Sequence, residues 1–362
     1  MLAHCVSMGT VAGMVSVRGV MEARRPLRWV RAVRRPLTGL ALAVIASACG
    51  SGSSSHEAGC EPRAVIEALT DYRQYDVFLV DREGGFAPIT QDRLSSSPDV
   101  APDGSWLAFV KAAPGSWSES FGYDDTSVQT MALDGSEVVT VQRRDGWNDS
   151  SPAIAPDGHR LTFIRRPADA SSGAELMITD RRGEHVRLLA DLGAEHAVST
   201  PAWSPDGSRV AVAVRDRDYS GILLALDAET GEQRGEWPLA YWQDSVAWSP
   251  DGDRLVISSS GYESAYDLSV VSVERGDVVE VSQPDRGSWT NAKFDVSTDR
   301  LNVLSWEADT EPTPQHAMEV TLDGAVISRI ELERHPTVDG AGLALIGDLS
   351  TSDCFSFDFS SA

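Results

Sequence analysis

The sequence predicts an all-β fold: a six-bladed β-propeller of four-stranded blades, preceded by a signal, a tether and one short helix. Three observations predict it. A phrase built on Pro-Asp-Gly recurs along the chain. A second apolar unit, ending in its own turn, sits between the copies. Strands such as Val210-Ala-Val-Ala-Val214 are apolar on both faces and must be covered on both sides.

Composition agrees with a folded, exported body. The 362 residues are 42% hydrophobic and 23% charged, which excludes disorder throughout. The net charge of −23 argues against a nucleic-acid binder and a basic peripheral membrane protein.

The N-terminus reads as an address. Seven arginines precede residue 49, most of them between Arg24 and Arg35. The apolar run Leu37–Ala46 is too short for a stop-transfer helix but suits a signal h-region. Ala46-Ser-Ala-Cys49 then leads into Gly-Ser-Gly-Ser-Ser-Ser. This resembles the bacterial lipoprotein lipobox, in which the cysteine thiol is lipidated. The resemblance implies a lipid anchor at Cys49 on a flexible polar linker. Ala46 stands where that motif most often has leucine, and an ordinary secretory signal is the alternative. The expected organisation is therefore residues 1–48 signal, 49–59 tether, 60–74 helical lead and 75–362 propeller. Residues 1–20 fit no part of a signal, and Met21 is the alternative start. Once Cys5 and Cys49 are accounted for, Cys60 and Cys354 are the candidate disulfide of an exported protein.

In the lead, Glu61–Tyr72 suits a short helix, with Pro62 in its first turn and Val65, Ile66, Leu69 and Tyr72 as one stripe. The repeats follow. Ser97-Pro-Asp-Val-Ala-Pro-Asp-Gly104 returns as Ser151-Pro-Ala-Ile-Ala-Pro-Asp-Gly158. It returns again as Thr200-Pro-Ala-Trp-Ser-Pro-Asp-Gly207 and Ser245-Val-Ala-Trp-Ser-Pro-Asp-Gly252. Weaker copies start at Asn291 and His335. Asp-Gly between apolar runs is a hairpin signal, because glycine supplies the positive φ of a tight turn. Units such as Val128–Gly135, Leu176–Gly183 and Ile222–Gly231 give each repeat an outer hairpin.

Trp203-Ser-Pro-Asp-Gly207 and Trp248-Ser-Pro-Asp-Gly252 resemble the WD-like repeat of the TolB-type propeller family. The resemblance spans roughly residues 75–347 and implies the fold. It leaves function open, since the same repeat serves receptors, scaffolds, peptidase accessory domains and lyases. The family's N-terminal α/β domain has no room between Cys49 and the first repeat.

Ring closure is expected from both ends. Tyr75–Thr90 supplies an outer strand pair and His335–Ile346 an inner pair. Asp353–Phe359 reads as an additional strand of unassigned place.

Catalytic motifs are not found: no nucleophile elbow, zincin helix, P-loop or dinucleotide fingerprint. Neither a cofactor nor a metal is expected. His159 and His185 fall in turns, whereas His196 precedes an inner strand and is placed at the opposite mouth. The aspartates of the repeated turns, Asp103, Asp157, Asp206 and Asp251, are expected to bond their own backbone.

The functional candidates lie at the mouth opposite those turns: Trp147, Asn148, Asp149, His196, Tyr241, Trp242, Gln243, Asp244, Trp289 and Asn291. Trp147, Trp242 and Trp289 stand nine, eight and seven residues before their turn slots. Aromatic bodies beside polar groups suit protein, peptide or glycan recognition; the competing expectation is packing between blades. Two long outer excursions, 112–126 and 306–315, add surface on the same side. The leading reading is a non-enzymatic, lipid-anchored envelope protein that binds a protein, peptide or glycan and no nucleic acid. The alternative is an envelope polysaccharide lyase or hydrolase with its site in the channel.

Overall fold

A computed structural model describes residues 64–351, apart from 72–73, 81–85, 119–121, 124, 170–172, 194–196, 216–220, 240–242, 260–266, 282–286, 296–298, 308–314 and 332–345. The described elements are all strands. The first three are β1 (Ala64–Asp71), β2 (Gln74–Val80) and β3 (Phe86–Pro88). Next come β4 (Ser95–Val100) and β5 (Trp106–Ala112), a ribbon of β6 (Trp117–Ser118) and β7 (Gly122–Tyr123), then β8 (Thr126–Ala132) and β9 (Val139–Thr140). The third group is β10 (Trp147–Ile154), β11 (Arg160–Pro167), β12 (Glu175–Asp180) and β13 (Arg187–Asp191). The fourth is β14 (Ala197–Val198), β15 (Ala202–Trp203), β16 (Arg209–Arg215), β17 (Gly221–Asp227) and β18 (Gln233–Leu239). The fifth is β19 (Gln243–Trp248), β20 (Arg254–Ser259), β21 (Asp267–Ser272) and β22 (Val278–Val281). The last is β23 (Gly287–Phe294), β24 (Arg300–Glu307), β25 (Gln315–Thr321) and β26 (Val326–Glu331), followed by β27 (Ile346–Thr351).

These strands build an all-β propeller of four-stranded, antiparallel blades. Six four-stranded blades are expected; five sheets have that form: β27-β1-β2-β3, β4-β5-β8-β9, β10 to β13, β19 to β22 and β23 to β26. The sheet between Ala197 and Leu239 has five strands, because its inner edge is broken and both β14 and β15 pair with β16. The break falls at Ser199-Thr-Pro201. There the Ser199 hydroxyl accepts the Ala213 N–H at 2.9 Å and patches the ladder.

The repeated turns behave as the sequence implies. In each Pro-Asp-Gly turn the glycine N–H reaches back three residues: Gly104 to Ala101, Gly158 to Ala155, Gly207 to Ser204 and Gly252 to Ser249. The four glycines have φ between 66° and 75°, the left-handed region where a Cβ is penalised. Each aspartate accepts a backbone N–H two residues on: Asp103 from Ser105, Asp157 from His159, Asp206 from Ser208 and Asp251 from Asp253. That is turn chemistry of the Asx type.

Covered strands explain the two-sided apolar runs. Val210 and Val212 pack toward β11 and β12, whereas Ala211 and Ala213 pack toward β19 and β20. Blade-to-blade cores therefore alternate along every second strand. A further set of contacts, unmarked by the apolar pattern, locks the turn face. The second residue after each turn glycine reaches the next blade. Trp106 donates its Nε1–H to the Gly158 carbonyl at 3.3 Å. Arg160 donates to the Gly207 carbonyl at 3.4 Å, and Arg209 to that of Gly252 at 3.3 Å. The same arginines lie over the neighbouring indoles, Arg160 over Trp203 at 5.0 Å and Arg209 over Trp248 at 4.6 Å. Arg254 continues the series over Phe294 and pairs with Asp299 at 2.6 Å.

Two expectations need correction. Residues 64–71 of the proposed helix form strand β1, so the propeller begins before residue 75. The stripe spacing is helical, but β2 and β27 flank this segment and take its backbone bonds, with Ala64 opposite both Val80 and Thr351. Tertiary pairing overrides local preference here. Closure is also not two pairs joined. The outer strands are β2 and β3, as expected, but the inner two are β1 from the N-terminal side and β27 from the C-terminal side. Most of the expected inner pair His335–Ile346, and all of Asp353–Phe359, lie outside the described residues.

Candidate functional site

In the four repeats that keep Pro-Asp-Gly, the second strand leaves that turn and ends at the opposite mouth. There the repeat loses its regularity. The inner strands bulge on the way, with register shifts between Ser96 and Asp99, Ser150 and Ala153, and Thr290 and Lys293. Ser97 and Ser151 occupy these bulges at φ 46° and 50°, and each precedes a proline. A proline lacks the N–H that a ladder needs, and an inner edge strand can spare it.

Trp147 opens β10 at the mouth and is half-buried. The Arg144 guanidinium lies 3.9 Å from its ring centroid and 3.4 Å from Glu175. Trp147 is therefore the one tryptophan of the three candidates that the structure places on accessible surface among the described residues. Its neighbours act within the fold. The Asn148 amide oxygen accepts the N–H groups of Asp125 at 2.8 Å and Thr126 at 3.2 Å, tying this blade to the preceding one. Asp149 is 1% exposed and receives the Arg165 guanidinium on both oxygens, at 2.6 and 3.0 Å. Arg165 also donates to the Gln142 carbonyl at 2.7 Å. Burial pushes the Asp149 carboxyl above its ordinary value, against the pull of Arg165. The Asp149 carboxylate is thus committed to Arg165, and the Asn148 amide oxygen to the preceding blade.

Trp289 is corrected more sharply. It is 3% exposed and packed with Val256, Leu268, Phe294 and Leu301 in the core between two blades. Gln243, Asp244 and Asn291 lie in the inner strands β19 and β23, where Asp244 occupies a register shift between Gln243 and Ser245. His196, Tyr241 and Trp242 lie outside the described residues, as do Cys49, Cys60 and Cys354.

Charge at this mouth was not anticipated. Lys111 pairs with Asp92, and Arg143 with Asp125. Beside Arg165, the next residue Arg166 and its repeat equivalent Arg215 add two more cations. The signal was available: both stand ten residues after a turn-slot proline, Pro156 and Pro205. On the turn face, Asp180, Glu184 and His185 bring ligand atoms within 4.8 Å of one another. This group is largely exposed, and Asp180 is already bonded to His185 and to the N–H groups of Arg182 and Glu184.

Fold and mouth together define a propeller whose turn face is closed by repeated internal bonds and whose other mouth carries irregular polar and charged groups. No protein-family profile matches the chain. It is similar to an uncharacterized protein of Agrobacterium fabrum, 26% identical over 38% of this chain and 46% of that one. It is also similar to an uncharacterized peptidase of Bacillus subtilis, 33% identical over 35% of this chain and 19% of the other. A third match is lipoprotein LpqB of Bifidobacterium longum, 24% identical over 40% and 27%. The matched stretches thus span less than half of each curated relative. Among solved structures, TolB from Acinetobacter baumannii aligns with TM-score 0.59 at 15% identity, over 80% of this chain and 66% of that one. A chain of the nidogen/laminin complex aligns with TM-score 0.57 at 11% identity, over 81% and 100%. These likenesses establish a TolB-like propeller fold.

Proposed function

We propose that the protein is a lipid-anchored envelope propeller that binds a protein, peptide or glycan at the mouth opposite the Pro-Asp-Gly turns. The observation that carries this reading is the asymmetry between the two faces. At the turn face, aspartates, arginines and indoles are used up by repeated bonds. At the mouth, Trp147 remains half-exposed with a cation over its ring, the kind of aromatic and arginine pairing enriched where partners bind. We count the five-stranded sheet as a sixth blade with a split inner strand. The lipobox-like Ala46-Ser-Ala-Cys49 and the resemblance to a lipoprotein support an envelope location with Cys49 as the anchor.

Capture of cross-linked partners from solubilised envelopes tests the binding reading. Trp147→Ala is expected to lose a partner that the wild type retains; equal capture by both proteins refutes it. Cys49→Ser is expected to release the protein from membranes, and continued membrane fractionation refutes the anchor.

We further propose a Cys60–Cys354 disulfide. Ala64 faces Thr351 across β1 and β27, and the two cysteines lie four residues before and three residues after those positions. The bond would clasp the closing blade, and chain entropy allows it at most roughly 6 kcal/mol of stabilisation. Mass mapping without reductant is expected to find the linked peptide; free thiols at both positions refute it.

A further inference from the structure

Among the described residues, every large aliphatic side chain that stands exposed lies at one end of the outer strands. Val138 directly precedes β9, Leu188 is the second residue of β13, Val278 and Val279 open β22, and Val326 and Ile327 open β26. They are 37–58% exposed. Each follows the glycine of its outer turn within five residues, so all six stand on the rim of the turn face. An outer strand is a sheet edge, where charged residues usually discourage association. Exposed aliphatics scattered singly need no explanation, but a set confined to one rim does.

Their distribution around the ring is also uneven. The cores between neighbouring sheets fix the order of the blades. In the closing blade, β3 exposes Ala87 and Pro88 near the same end. The apolar positions therefore run through five consecutive sheets, with the closing blade in the middle. The exception is the sheet between Ala197 and Leu239, whose outer strand begins with exposed Gln233 and Arg234. Counted as a blade, that sheet stands opposite the closing one. The apolar arc is thus centred where the chain enters the ring, because β1 begins with Ala64 at the turn end. Cys49 lies fifteen residues before Ala64, a length that reaches about 50 Å at most. A lipid on Cys49 would hold this rim near the bilayer, at an effective concentration that lets a weak apolar contact persist.

We propose that this arc of the turn-face rim docks on the lipid bilayer that holds the Cys49 anchor, and that the mouth faces away from the membrane. The proposal rests on the anchor reading and deepens it. The aliphatic side chains would enter the interfacial region of the bilayer, and the polar turns inside the arc would meet headgroups. The mouth then takes its ligand from the aqueous side and not from lipid of the same leaflet.

The full lipidated chain, reconstituted in phosphatidylcholine vesicles that carry a diazirine phospholipid, tests the docking by mass mapping of the lipid adducts after illumination. Adducts are expected on the peptides that hold Val278–Val279 and Val326–Ile327, and not on the mouth peptide Trp147–Ile154. In the double variant Val279→Glu, Ile327→Glu, rim adducts are expected to fall roughly tenfold or more, while the melting temperature and vesicle association through Cys49 are kept. Gln233→Glu, in the sheet opposite the closing blade, is expected to leave the adducts unchanged. Adducts equally dense at the mouth, no adducts on the rim, or an undiminished rim signal in the double variant overturns the proposal. A dimer in detergent that the double variant abolishes, without lipid adducts, would assign the rim to a second copy and also overturns it. If Cys49 is lipidated and the rim carries no adducts, the docking falls and the anchor stands. If intact mass shows Cys49 unmodified, the anchor falls and the docking with it.

Discussion

The two faces of this propeller use the same residue types for opposite ends. At the turn face, Arg160 and Arg209 each lie over an indole and donate to the next turn's carbonyl, one step per repeat. At the mouth, Arg144 lies over a half-exposed indole. Tryptophan divides likewise: Trp203 and Trp248 send Nε1–H bonds into the preceding blade at 3.0 Å, whereas Trp147 stays at the rim. Where the repeat is kept, polar groups serve closure. Where it is broken, they make single pairs that do not recur, as Arg165 does with Asp149 and Arg144 does over Trp147. Departure from the repeat is thus the better guide to a site than residue type.

The widest gap should separate two tryptophans that look alike in sequence. Trp289→Ala removes a ring packed among Val256, Leu268 and Phe294, and is expected to cost about 3–5 kcal/mol in urea unfolding. Trp147→Ala is expected to cost about 1 kcal/mol or less while abolishing partner capture. Equal losses of stability would erase the distinction between core and rim.

Two glycines sharpen the turn-face side of the comparison. A Cβ on Gly231 (φ 73°) would stand 1.9 Å from the Leu189 carbonyl oxygen of the preceding blade, whereas one on Gly158 (φ 67°) meets nothing within 4 Å. Gly158→Ala should cost about 1–2 kcal/mol, from conformation alone. Gly231→Ala should cost roughly 1–3 kcal/mol more, because the outer turn must move off its neighbour. Similar melting curves for the two variants would mean that blades are not locked at their outer turns.

The smallest effect concerns acid. The Ser204 hydroxyl, then the Ser208 hydroxyl and N–H, hold the Asp206 carboxyl down at about 2 from an ordinary 3.8. A depressed carboxyl stabilises the fold above its unfolded value, and that contribution is lost as pH falls toward the folded one. Asp206→Asn keeps the turn bond but removes the titration. Its stability should fall less than that of the wild type as the pH drops across this window, read from urea midpoints. Parallel curves would remove Asp206 from the acid response.

Most of the turn face was legible in the sequence. Pro-Asp-Gly names its own turn, because proline, aspartate and glycine each meet a local backbone requirement. β1 was not legible, since its conformation is decided by β27, which follows it by more than 270 residues. The mouth was half-legible. Spacing put Trp147 and Trp289 in comparable loops, but burial depends on what the next blade brings against them. Asp149 shows the same limit: nothing local says that Arg165 will take both of its oxygens. Arg166 and Arg215 could have been found by counting from the turn prolines, had charge been aligned along with aromatic residues.

The joint between β1 and β27 also has a mechanical meaning. Its strands are antiparallel, and Ala64 and Thr351 face each other at the turn end of the closing blade. A load applied through the flanking segments would pull these neighbours directly apart. It would peel the ladder one hydrogen bond at a time instead of shearing all of them together. The joint is thus the mechanically soft seam of an otherwise interlocked ring, and a covalent link at that end would convert a zipper into a rivet. Stretched in an optical trap by its ends, the reduced chain should release these strands first, at lower force than the oxidised chain.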